Sequence, residues 1–324
     1  MPTRRQLLAA LVASASSTAV VGAKADTWPS RPVRVIVPYP PGGSSDITAR
    51  FVAESVSRTL GQRFFIDNRP GAGGNVGMEA AAQSSPDGYT VVLGTTAHAI
   101  NMTLFKNLNY NTLGSFIPVA LLTEMPLILV ANLDVPARTI AELIALAKAK
   151  PRALNYASSG NGQSTHLAAE LFASMAGIQL THVPYRGSAP GITDVMAGHV
   201  QIMFDTTQSV LPHVQDNRVR PLGISSASRL PIASDIPTIA ESGLAGYEAI
   251  AWNGFLVPKN TPGAIVERLN SEVVRTLSEP EMKERFAKLG ATSRSTTPDE
   301  FASYIANEIA KWGRVVRESG AKVE

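Results

Sequence analysis

Between the apolar run Val33–Val37 and a helical pattern that reaches Arg50, the chain places Tyr39, Pro40, Pro41, Gly42, Gly43, Ser44 and Ser45, with no Lys, Cys or His among them. Such residues do not perform covalent chemistry unaided, but they can bind an anion. A helix N-terminus offers unpaired N–H groups and roughly half a positive charge. Gly42 and Gly43 let the backbone approach a ligand closely. One of Ser44 and Ser45 can cap the helix while the other reaches the anion. Asp46 weighs against an anion next door and is expected in the first helical turn, paired with Arg50 at i, i+4 and pointing away.

One loop of this type is ordinary turn and cap chemistry. Here the type recurs, at Ala72, Gly73 and Gly74 in "GAGGN", at Thr95, Thr96 and His98 in "TTAH", at Ser158, Ser159, Ser164 and Thr165 in "SSGNGQST", and at Ser188 in "RGSAPG". Hydrogen bonds to a charged acceptor contribute about 1.5–3 kcal/mol each, and a micromolar complex needs roughly 8 kcal/mol. Several converging loops reach that figure; one does not.

Catalytic patterns are missing. The chain has no Cys, hence no thiolate nucleophile, disulfide or Cys metal site. The glycines of "GAGGNVG" have the wrong spacing for a dinucleotide loop, and no stretch matches the P-loop, zinc-protease or nucleophile-elbow patterns. His98, His166, His182, His199 and His213 are scattered. His166 and Glu170 share a helical face that two metal ligands could use, but an ordinary helix face explains them, so neither metal nor cofactor is expected. Asp205 ends the apolar run "VQIMFD" and either accepts from a ligand hydroxyl or amine or caps the next helix. Arg186 is the best-placed cation, but arginines beside loops are usually solvated. Trp252 and Asn253, in "AWNGF", fit core packing and a cleft wall equally.

The elements that must position these loops alternate. The runs "VRVIV", "QRFFIDN", "GYTVVLG", "ALNYAS", "LTHVPY" and "VQIMFDT" read as strands, each followed by a Gly/Ser/Thr loop and a helical pattern. That order argues for βα units around parallel sheets, where ligands sit beyond the carboxyl ends of the strands. "HLAAELFASMAG" reads as a long amphipathic helix closed by Gly177. From Thr261 the pattern becomes helical. Thr297, Pro298 and Glu300 form a capping box, and Phe301, Ile305, Ile309, Trp312 and Val316 make one buried face.

Composition narrows the class further. The 324 residues, 44% of them hydrophobic, suffice for two domains. Residues 1–25 carry a charged start, an Ala-rich apolar run and small residues at Ala23 and Ala25, the pattern of a secretory signal. Arg4 and Arg5 also fit a twin-arginine export signal. Cleavage removes Arg4, Arg5 and Lys24 and no acid, leaving 26 basic against 26 acidic residues. A neutral mature chain excludes a nucleic-acid partner, and no later apolar run approaches the ~18 residues of a membrane span. A periplasmic location is expected.

The ordered stretches "WPSRPVRVIVPYPPGGSSDITAR", "NRPGAGGNVG", "PDGYTVVLGTT", "YASSGNGQSTHLAAELF", "VPYRGSAPGITDVMAGHVQIMFD" and "WNGFLVPKNTP" resemble the tripartite tricarboxylate transporter receptors, the Bug family of extracytoplasmic solute-binding proteins. The resemblance runs from about Trp28 to the C-terminus. It implies an α/β fold of the type II periplasmic binding-protein class, with two lobes joined by two crossings and a ligand cleft between them. Residues 26–125 plus 250–324 would form lobe 1, and 126–249 lobe 2. It also implies that the 39–45 and 71–75 loops hold one carboxylate with help from water, with Tyr39 as a cleft wall. Thr95, Thr96 and His98 map to the third loop, and Ser158, Ser159, Ser164, Thr165, Ser188 and Asp205 to the second lobe's contacts.

The expected function is therefore that of a monomeric receptor closing on a small carboxylate (an organic acid, an aromatic acid or an acidic amino acid) and delivering it to membrane permease subunits or a sensor kinase. The competing reading is an exported hydrolase or lyase using Ser164 or Ser44 as nucleophile with a His or Asp from another loop. A third is a module acting through protein contacts alone.

Overall fold

The computed structural model describes residues 28–322, so the expected signal segment and its paired arginines lie outside the described residues. The first sheet begins with β1 (Val33–Val37), β2 (Phe64–Asn68) and β3 (Thr90–Thr95), parallel to one another with β1 in the middle. β1 buries Val33, Val35, Ile36 and Val37 completely, as a strand covered on both faces must. The helices that follow them are α1 (Ser44–Leu60), α2 (Asn75–Ala82) and α3 (Thr96–Leu104).

The second sheet contains β5 (Asn155–Ser158), β6 (Thr181–Pro184) and β7 (Ile202–Thr206), with β5 paired in parallel to both others. Between its strands run α5 (Ser164–Ala176) and α6 (Ser188–Met196), and α7 (Thr207–Gln215) follows β7; α4 (Ile140–Ala149) precedes β5. Gly177 ends α5 in the left-handed conformation, as its place in the sequence predicts.

The alternation of the sequence accounts for these units but not for what joins them. β4 (Phe116–Ala131) is a 16-residue strand lying antiparallel to its neighbours. Its residues up to Pro126 pair with β9 (Ile250–Pro258) in the first sheet. From Leu127 to Ala131 it pairs with β7 and with β8 (Arg220–Ile224) in the second. β9 closes the first sheet between β3 and β4, starting with Ile250 opposite Pro126. The chain therefore crosses between the sheets near Pro126 and returns near Ile250.

Buried hydroxyls brace both crossings. Thr207 Oγ1 donates to the Pro126 carbonyl at 2.9 Å, Ser225 Oγ accepts the Leu127 N–H at 2.7 Å, and Thr96 Oγ1 accepts the Trp252 N–H at 2.9 Å. Behind them run α8 (Gly263–Ser278), α9 (Pro280–Ala287), the two-residue strand β10 (Thr292–Ser293) and α10 (Pro298–Ser319). α10 starts at the predicted capping box, with Thr297 and Glu300 bonded reciprocally. Its apolar face packs on α3, on β4 and on α5, and so spans both sheets. Trp252 settles as core, 1% exposed, and its indole N–H and that of Trp312 both donate to the buried carboxylate of Glu308, at 3.0 and 2.7 Å. Among the described residues no helix is long and apolar enough to cross a membrane.

Candidate functional site

The first half of the site is the loop from β1 to α1. Gly43 is the N-cap of α1 and no side chain caps it, so Ser44 and Ser45 are not caps, as the sequence suggested one would be, but first-turn residues. Asp46 explains the loop's shape. It is 2% exposed and turns back beneath the loop, accepting from Gly42 N–H (2.9 Å), Arg50 Nε (2.8 Å) and Asn68 Nδ2 (2.9 Å). Burial pushes its carboxyl up, but these donors outweigh burial and hold it below the usual carboxylate range. Gly42 therefore gives its N–H to Asp46 rather than to a ligand. Among the described residues the N–H groups of Gly43, Ser44 and Ser45 have no backbone acceptor. Arg50, in contact with Asp46, neutralises the charge that would otherwise repel an anion there.

The loop from β2 to α2 faces it. Ala72, Gly73 and Gly74 take φ values of 47°, 67° and 97°, a left-handed run that curls the chain until the Gly74 N–H donates to the Gly71 carbonyl at 2.9 Å and the Asn75 N–H to the Ala72 carbonyl. A Cβ on Gly74 would lie 2.7 Å from His98 Nε2 and 3.3 Å from the Tyr39 hydroxyl. Behind the curl Tyr39 shares a 2.7 Å hydrogen bond with Thr95 Oγ1, and His98 Nδ1 accepts the Thr95 N–H at 2.9 Å. His98 is wholly buried, and desolvation pushes its pKa down to about 3, so the ring is neutral. Burial likewise pushes Tyr39 up to about 12. His98 is thus a prop behind the glycines. The hydroxyl of Thr96 serves the interlobe crossing instead of the cleft.

The second half is built from side chains. Ser158 is buried and shares a 2.6 Å hydrogen bond with His182 Nε2. His182 stacks on His166, with ring centroids 4.0 Å apart and planes 6° from parallel, and on Tyr156 at 4.8 Å. His166 Nδ1 accepts the Gly162 N–H at 3.3 Å, and the Tyr156 hydroxyl donates to Glu170. Desolvation pushes His166 down to about 3 and His182 to about 4. Above this stack, Thr165 Oγ1 accepts the Ser159 N–H at 2.9 Å and bonds its hydroxyl at the same distance. Ser164 and Ser188 are the half-buried first residues of α5 and α6, with no side-chain cap ahead of either helix. Asp205 is wholly buried at the end of β7, with Oδ1 accepting the Thr206 N–H at 2.7 Å. Arg186 is exposed.

The two halves touch. Gln163, the N-cap of α5, reaches across so that its Nε2 donates to the Gly73 carbonyl at 3.4 Å. Asn101 on α3 donates to the same carbonyl at 3.3 Å and to Asn75 Oδ1 at 2.8 Å. A Cβ on Gly162 would come within 2.8 Å of Asn101 Oδ1, so the 160–163 loop lies directly on α3. Sequence reasoning named no role for Gln163, Asn101 or Asn68 and reached Asn75 only as part of the 71–75 loop. Gln163 and Asn68 lie inside quoted stretches, but ordinary amides there carry no signal, and Asn101 lies in none.

The arrangement gathers free main-chain N–H groups on one side and hydroxyls with one buried carboxylate on the other. It can bind a small polar anion. The buried histidines are engaged with Thr95, Gly162 and Ser158, and the nucleophile candidates Ser44 and Ser164 are not bonded to them. Among the described residues no group of three or more His, Asp or Glu side chains is placed to hold a metal ion. Asn253, 4% exposed, donates to Thr123 Oγ1 at 3.2 Å beside the crossing.

Residues 48–321 match the family described as the tripartite tricarboxylate transporter family receptor. The fold is similar to that of Rpa4515 from R. palustris, solved with adipate, with a TM-score of 0.86 and 36% identity over 91% of this chain and 100% of that one. It is similar to the periplasmic binding protein BugD, with a TM-score of 0.83 and 31% identity over 92% of this chain and 100% of that one. It is also similar to MatC from Rhodopseudomonas palustris, solved with malate, with a TM-score of 0.82 and 33% identity over 89% of this chain and 99% of that one.

Proposed function

The chain belongs to the tripartite tricarboxylate transporter family of receptors, and from that premise we propose that it is a periplasmic receptor that closes two jaws on a small carboxylate. Within 26–125 plus 250–324 the described residues form one jaw, and 126–249 form the other. The observation that carries the reading is the convergence of the uncommitted N–H groups of Gly43, Ser44 and Ser45 with the left-handed curl at Ala72–Gly74, roofed by Gln163 from the opposite jaw. Three or four charge-assisted hydrogen bonds at about 1.5–3 kcal/mol each fall within the range that micromolar affinity requires. Adipate and malate on similar structures support a carboxylate as the class. A ligand that touches both jaws favours the closed arrangement, which is the form a membrane permease or a sensor would recognise.

The test is calorimetry on protein freed of co-purified ligand, titrated with mono-, di- and aromatic carboxylates and with amino acids. Saturable binding of at least one carboxylate, with a raised melting temperature, is expected. No heat from any member of the panel would sink the reading. Mass spectrometry of what leaves the freshly purified protein on denaturation identifies the natural ligand directly.

A further inference from the structure

The turn at 160–163 carries the second jaw onto the first, and the fit there is of main chain against main chain. A Cβ on Gly73 would lie 3.4 Å from the Asn161 carbonyl oxygen and 3.5 Å from Phe105 Cζ. One on Gly162 would lie 2.8 Å from Asn101 Oδ1 and 3.0 Å from Leu104 Cδ2. Gly73 and Gly162 also hold φ values of 67° and 75°, so glycine is required on both sides of the joint. The Gly162 N–H donates to His166 Nδ1 at 3.3 Å, which ties the turn to its own jaw. Gln163 then crosses. Its Nε2 donates to the Gly73 carbonyl at 3.4 Å, and the same side chain lies against the Tyr39 hydroxyl. It does not cap α5, which has no side-chain cap. Among the described residues the side-chain hydrogen bonds of Gln163 all go to the first jaw.

These contacts join protein to protein and do not pass through a ligand, so closing has a favourable contribution that belongs to the chain itself. We propose that the 160–163 turn is a clasp with Gln163 as its positioning residue. It sets how much of the free receptor is already closed, and through that population the affinity for every ligand alike. This rests on the two-jaw carboxylate reading above. The apparent dissociation constant is the intrinsic one divided by the closed fraction. Loosening the clasp therefore multiplies it by one factor, whatever the acid. A residue that touches the ligand changes each acid differently.

The test uses the chain's lack of cysteine. Phe65→Cys in the first jaw and Met175→Cys on α5 in the second, both at exposed positions, take a pair of spin labels. Double electron–electron resonance on the free labelled protein should resolve two distances. Adding Gln163→Ala should lower the population of one against the other about three- to tenfold, the worth of one hydrogen bond. Calorimetry on the unlabelled proteins should show every carboxylate that binds weakened by one common factor, equal to the ratio of the two closed fractions. A single distance in the free wild type, or the same population ratio in both proteins, overturns the clasp and leaves the carboxylate reading intact. Losses that differ by more than about threefold between acids overturn it too, because Gln163 is then a ligand contact. Silence of the whole panel removes the carboxylate reading, while the label distances still decide the clasp. Should Gln163→Ala not fold, Gly162→Ala presses a Cβ onto Asn101 and Leu104 of the first jaw and must lower the same population; an unchanged population overturns the proposal.

Discussion

The two jaws solve one problem with different materials. In the first, the loops at Gly42–Ser45 and Gly71–Asn75 present backbone, and the side chains around them (Asp46, Asn68, Tyr39 and His98) act from behind. In the second, the exposed and half-buried polar groups are hydroxyls whose loop rests on the stack of Tyr156, His182 and His166. A main-chain cradle depends on conformation and is indifferent to most side-chain changes at its surface. A hydroxyl cradle can be retuned residue by residue. If the jaws hold a carboxylate as proposed, the difference teaches that the first suits a group common to many ligands, while the second can tell them apart.

The largest effect should come from Gly74→Ala. It sets a Cβ 2.7 Å from His98 Nε2 at a φ of 97°, and should cost about 3 kcal/mol or more in urea unfolding and abolish carboxylate binding. Ready acceptance of alanine there would break the main-chain account of the first jaw. Next, Asp46→Asn should destabilise by about 2 kcal/mol, chiefly by weakening three bonds to a buried acceptor, because half-exposed Arg50 contributes little as an ion partner. The folded carboxyl lies below its unfolded value near 3.9, so this stability is present above about pH 4 and lost as pH falls through the folded value. The gap between wild type and variant should close in acid.

A smaller effect, confined to acid, should mark the second jaw. His182 is depressed to about 4 from an unfolded value near 6.5, so its contribution is full above about pH 6.5 and falls by up to ~1.4 kcal/mol per pH unit below it. His182→Gln should flatten the loss of stability between pH 6.5 and 4.5 by up to that slope, measured by chemical unfolding at each pH. Equal slopes would remove the stack from the account. The smallest change in stability, within about 0.5 kcal/mol, is expected for Ser164→Ala, with carboxylate affinity falling about five- to tenfold. Unaltered affinity would show that this hydroxyl faces no ligand.

Much of the fold was legible. The runs at 33–37, 64–68, 90–95, 155–158, 181–184 and 202–206 became strands, and the capping box at Thr297 became the start of α10. β4 was not legible, because "FIPVALLTEMPLILVA" contains two prolines and a glutamate and is far longer than a typical strand. Only pairing with β9 along one stretch and with β7 and β8 along the other makes it continuous. In the site, the glycine and hydroxyl loops stood out by composition, whereas Gln163 and Asn101 became visible only once α3 and the 160–163 loop lay together.

Sequence by itself determined the local units, because strand periodicity, capping residues and glycines act within a few positions. It also determined that no thiol is available and that the 39–45 loop carries no cation. Tertiary structure alone decided which polar groups are spent and which are left. Gly42 gives its N–H to a neighbour four residues away, the Thr96 hydroxyl goes to Trp252 from 156 residues away, and Asp205 Oδ1 takes the N–H of the next residue, Thr206. A hydrogen bond is a contest among all donors and acceptors within about 3 Å, and only folding sets who competes.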